Sequence, residues 1–142
     1  MMMTWFYGFI STVGLSILFN IRRKHIVLAA IGGGSAGLIQ QQLLLSTDNI
    51  LLAAFVAAFV ISIYSEIMAG IQKAPSTTYV IPGVLPLVPG AGMYYTMLYL
   101  AERNLSQAAA YGYQTVFAAL AIACGVIIAP SIRRLVRQLR SY

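Results

Sequence analysis

Carboxylates are scarce in this chain: Asp48, Glu66 and Glu102 are the three acidic residues among 142. Charged residues of both signs make up only 8%, too little polar surface to cover a soluble domain of this length. Cys124 is the single cysteine, which excludes a disulfide framework and a thiol metal site. His25, inside the basic stretch RRKH, is the single histidine. It reads as a solvated loop residue, and one histidine supplies no metal centre. With no nucleophile–base pair and no metal cluster in the sequence, an enzyme is the least supported class, and no cofactor is expected. Met1–Phe9 lacks a basic n-region and a small-residue cleavage site, so it does not read as a secretory signal.

What the chain has instead is apolar length, with 60% hydrophobic residues. Five segments approach the ~20 residues that cross ~30 Å of hydrocarbon: Thr4–Asn20, Ile26–Leu45, Ile50–Gly70, Val80–Leu100 and Ala108–Ala129. Short polar links join them at 22–25, 46–49, 72–78 and 102–107. Five spans place Arg22, Arg23, Lys24, Lys73, Arg133, Arg134, Arg137 and Arg140 on one side, against Arg103 on the other. Positive charge collects on the cytoplasmic side, so the expected fold is an all-α membrane domain over residues 1–142, N-terminus out and C-terminus in. The same end-of-segment placement argues against nucleic-acid binding, despite a net charge of +6.

The fourth segment, VIPGVLPLVPGAGMYYTMLYL, carries prolines at 82, 86 and 89 and glycines at 83, 90 and 92. Each proline removes a backbone N–H and crowds the preceding turn. A freed carbonyl costs several kcal/mol in hydrocarbon, so broken backbone is expected only where protein or a cavity receives it, as in transport sites. Gly90-Ala91-Gly92 precedes a regular stretch, Met93 to Leu100. The orphan N–H groups and dipole of such a half-helix suit a carboxylate. Carbonyls freed by Pro82, Pro86 and Pro89 suit an ammonium or hydroxyl group, and Gly83 and the other glycines allow close approach. An amino acid zwitterion presents those groups. Tyr94 and Tyr95 either line the cavity or act as interfacial anchors.

Small residues at about four-residue spacing mark further faces: Gly8, Thr12, Ser16 and Asn20; Ala29, Gly33, Gly37 and Gln41; Ala54, Ala58, Ser62, Glu66 and Gly70; Ala110, Gln114 and Ala118, then Ala121 and Gly125. Such stripes let membrane helices approach closely. Glu66 is the one acidic residue well inside a span, either a proton-coupling carboxylate or the partner of Lys73 or a helix end. Gln40, Gln41 and Gln42 read as bonds between helices, with substrate contact the minor alternative. Residues 131–142 form a basic amphipathic tail suited to anionic lipid.

The run AGIQKAPSTTYVIPGVLPLVPGAGMYYTM resembles the signature of the threonine/serine exporter family, with its most specific part at Pro82–Thr96. More loosely, the whole chain resembles that family's C-terminal membrane domain, which in some members is a separate small protein. The resemblance implies ion-driven export of threonine and serine across the bacterial inner membrane by a secondary transporter whose larger membrane subunit supplies the other half. Related split pairs resemble exporters of succinate. No arginine lies deep in a span to demand a second carboxylate, which favours an amino acid over a dicarboxylate. A non-transporting assembly subunit and a homo-oligomeric channel are the readings from other classes.

Overall fold

The computed structural model describes the backbone of residues 2–139 and the side chains of residues 2–132. The chain is all-helical, and no strand occurs among the described residues. Six helices follow in order: α1 (Met2–Leu18), α2 (Arg23–Thr47), α3 (Ile50–Gln72), α4 (Thr77–Val84), α5 (Gly90–Ala101) and α6 (Leu105–Leu139). Three of them, α2, α3 and α6, are long and apolar enough to cross a membrane, and α4 with α5 makes a fourth candidate span bent by 45°. The apolar α1, at 17 residues, is shorter.

The turns are tight. Asn20, Asp48, Lys73 and Arg103 each adopt positive φ at helix ends, and all four close back onto the preceding helix through their own N–H groups. Asn49 then caps α3, its side chain accepting from the N–H groups of Leu51 and Leu52. One link is shorter than its polarity suggested: Arg23, Lys24 and His25 belong to the first turn of α2.

The interior is built from alanine, glycine, serine and threonine. One cluster joins Ala36, Ala54, Ala57, Ala58, Ile61, Leu87 and Ile122; a second joins Ala29, Ala69 and Tyr79. A Cβ on Gly33 would collide with the Thr12 side chain, and one on Gly125 would sit 2.7 Å from the Phe55 carbonyl. The α1–α2 and α3–α6 pairs therefore approach at backbone distance, as small-residue packing allows. Hydroxyls on these faces are satisfied locally: Thr12, Ser16, Ser62 and Ser65 donate to the carbonyls four residues earlier.

Not every expected stripe is an interface. Asn20 and Gly70 are exposed, as are Ala110 and Gln114; the face of α6 turned inward runs through Ala118, Ile122, Gly125 and Ala129. Four-residue spacing drifts around a 3.6-residue helix, so a stripe of five positions leaves the contact line. Many large apolar side chains, among them Phe6, Ile17, Phe117 and Ile127, face outward. The side chains of the basic tail from residue 133 onward lie outside the described residues.

Candidate functional site around the broken helix

The break is more localised than three prolines suggest. Pro82 is accommodated inside α4, and Gly83 follows it in the same helix. Both are buried, and a Cβ on Gly83 would lie 2.8 Å from the Ile61 side chain. Gly83 therefore serves the α3–α4 contact. Regular helix ends at Val84, a 3-10 turn covers Leu85–Leu87, Val88 is extended, and α5 starts at Gly90 behind Pro89.

Several carbonyls of the break are already engaged. Leu85 O accepts from Val88 N–H at 3.2 Å, Val88 O from Gly90 N–H at 2.7 Å, and Pro89 O from Met93 N–H at 3.2 Å. Gln40 of α2 donates from Nε2 to Leu87 O at 3.4 Å, the long end of the hydrogen-bond range. That contact is the interhelical bond the glutamines suggested, and it ties α2 to the centre of the break. The bond from Met93 to Pro89 is the first full turn of α5, so the N–H groups of Ala91 and Gly92 precede intrahelical pairing.

A cavity of about 560 Å³ opens beside this backbone, within the range that takes small ligands. Pro86, Leu87, Val88, Pro89, Gly90 and Ala91 form one wall. Thr4, Tyr7 and Ser11 of α1 and Gly37, Gln40 and Gln41 of α2 form the opposite walls. The start of α1, the end of α2 and the start of α3 all meet here, so the cavity opens at the end of the bundle away from the α1–α2 turn. Ser11 lies nine residues beyond Met2, roughly 13 Å along the axis of α1 at ~1.5 Å per residue.

The residues singled out in the sequence therefore divide. Pro86, Pro89, Gly90 and Ala91 line the cavity, and space around a Gly90 Cβ is open. Pro82 and Gly83 are packed inside α4. Gly92 is turned toward α6, where a Cβ would meet the Thr115 hydroxyl. Tyr94 and Tyr95 do not line the cavity; with Tyr99 and Tyr111 they build an aromatic cluster between α5 and α6, Tyr95 and Tyr99 each 5.4 Å from the Tyr111 ring. Glu66 is half-buried on α3 and engaged by another group. Thr4, Tyr7 and Ser11 were not singled out as site residues, because nothing in α1 alone shows which of its polar residues face the break.

His25 departs from its expected role. It is 4% exposed, and Nδ1 lies 2.6 Å from the hydroxyl of the fully buried Tyr79. The two rings meet edge to face at 5.5 Å. Its burial follows from its place in the first turn of α2, where the ring packs against Tyr79 of α4. Among the described residues, no group of three or more His, Cys, Asp or Glu is arranged to hold a metal.

No curated protein and no solved structure matches the chain. Residues 4–132, nearly all of the sequence, match the family model described as Threonine/Serine exporter, ThrE. On that match the chain belongs to the threonine/serine exporter family.

Proposed function

We propose that this chain is one subunit of a secondary transporter that exports small carboxylate-bearing solutes, with threonine and serine as the first candidates, and that it works with a larger membrane subunit. The single observation that carries this reading is the open cavity at the start of α5. There the unpaired N–H groups near Ala91 suit a carboxylate, and the second lone pairs of the Leu87 and Val88 carbonyls suit an ammonium group. Gln40, Gln41, Ser11 and Tyr7 offer further donors for a hydroxyl. No lysine or arginine lines this cavity, which favours one carboxylate over two.

In this reading α1 is a fifth span beside α2, α3, the α4–α5 pair and α6, the N-terminus lies outside and the C-terminus in the cytoplasm of a bacterial inner membrane. An odd number of spans allows a homologous partner half to be inverted, as in many secondary transporters. The outward apolar face supplies surface for such a partner as well as for lipid. The solute binds against Gly90 and Ala91, and rocking of the two halves exposes it alternately on each side. Glu66 is the proton-coupling candidate.

The test is efflux of preloaded labelled threonine, serine and succinate from cells without their own exporters. The chain is expressed alone and then with the larger subunit. Efflux only from the pair, ranked threonine and serine above succinate, is the expected result. Efflux from the chain alone contradicts the two-subunit reading and indicates a homo-oligomer.

A further inference from the structure

The opposite end of the bundle holds a second cavity, of about 430 Å³, that the transport reading does not use. The tight α1–α2 turn and the tight α3–α4 turn meet there, bringing together Arg22, Lys24 and Lys73 with His25 and Thr78. No acidic residue lines it. Among the described residues, the three cationic side chains and the Thr78 hydroxyl have no hydrogen-bond partner. His25 contributes a built wall. When the Tyr79 hydroxyl donates to Nδ1, the neutral ring carries its proton on Nε2, the nitrogen left for the cavity. Every polar side chain named here is thus a donor or, for threonine, able to donate.

The rim is apolar. Phe19 lines the cavity and is 48% exposed, next to Leu18 at 79%. Ile71, immediately before the lining residue Gln72, is 64% exposed. An occupant with an anionic head and hydrocarbon beside it satisfies both halves of this surface. Basic recesses between membrane helices at the cytoplasmic side take lipid head groups on the same physical terms.

We propose that this cavity binds the phosphate of an anionic phospholipid, held by Arg22, Lys24 and Lys73 against the His25–Thr78 wall, with acyl chains along Leu18, Phe19 and Ile71. A bound lipid there bridges the α1–α2 and α3–α4 turns and so fixes the lower end of the broken helix. The proposal does not depend on which solute is exported.

The experiment measures retention of phosphatidylglycerol by the delipidated, detergent-purified full chain, using native mass spectrometry and titration. The variant combines Arg22→Gln, Lys24→Gln and Lys73→Asn, asparagine being tolerant of the positive φ at 73. Arg103→Gln at the other end and a variant lacking the four tail arginines serve as controls, and gel filtration confirms folding. Loss of roughly 1 kcal/mol per cation predicts retention weakened on the order of 100-fold in the triple variant only. Phosphatidylcholine should bind poorly, and inorganic phosphate at matching concentration should not displace phosphatidylglycerol. Equal retention in the triple variant overturns the proposal, as does loss confined to the tail variant. Displacement by inorganic phosphate shows a free-anion site and overturns the lipid assignment. If the triple variant fails to fold, Lys24→Gln alone must still weaken retention several-fold; no change overturns the proposal.

Discussion

The hydroxyl of Tyr79 sits 2.6 Å from Nδ1 of His25, both side chains buried, and this one bond fastens the first turn of α2 to the start of the broken helix. Replacing Tyr79 with Phe keeps the packing and leaves a buried imidazole nitrogen unpaired. Such a loss costs about 1–3 kcal/mol. Thermal unfolding of the purified chain should show a lowered midpoint for Tyr79→Phe, and an unchanged midpoint removes the bond from the account.

Glycine substitutions should separate packing from function. Gly33→Ala drives a methyl into Thr12 and Gly83→Ala one into Ile61, so each should destabilise by about 1–3 kcal/mol. Gly37 and Gly90 have open space around a Cβ, and their alanine variants should match the parent in stability. Denaturation in mild detergent checks the split; equal losses at all four positions contradict the close α1–α2 and α3–α4 contacts.

The glutamine at 40 should matter to transport more than to folding. Its bond to Leu87 O is long and half-buried, so Gln40→Leu should cost under about 1.5 kcal/mol. The same change makes one cavity wall apolar and frees a carbonyl of the break. Export should fall at least several-fold with protein level unchanged. Export at the parent rate removes Gln40 from the site.

Glu66→Gln tests coupling. A proton-carrying Glu66 predicts loss of gradient-driven export with downhill efflux retained, because glutamine cannot change charge. Full gradient-driven export with its original pH dependence makes Glu66 structural.

Topology can be read by labelling. Cys124 is exposed on α6 and is the sole cysteine, so Cys124→Ala gives a clean background. A cysteine at Asp48 should react with an impermeant maleimide added outside intact cells, and one at Pro75 should not. The reverse pattern inverts the orientation proposed from the basic residues.

Much of this architecture is written in the chain, for physical reasons that also mark where reading stops. Apolar length located α2, α3 and α6, and Pro86 and Pro89 with Gly90 located the break, because each acts through its own backbone. Pro82 and Gly83 look the same in sequence yet belong to packed helix. Whether a proline interrupts depends on neighbouring helices that receive it, and Ile61 lies 22 positions from Gly83. Tyr95 and Gly92 sit beside the break in sequence but turn toward Thr115 and Tyr111, a choice set by the docking of α6. The His25–Tyr79 pair was illegible for the same reason: 54 positions separate its members, and RRKH by itself reads as a polar turn.

The most direct test of the central claim fills the cavity without disturbing the packing. Gly90→Leu places a side chain where a Cβ meets nothing within 4 Å, against the wall expected to hold the carboxylate. Threonine efflux is measured for the variant beside its larger subunit, with assembly of the pair checked by co-purification. The account predicts an intact pair whose efflux falls at least ten-fold. An intact pair exporting threonine at the parent rate contradicts it and makes this chain a non-transporting assembly subunit.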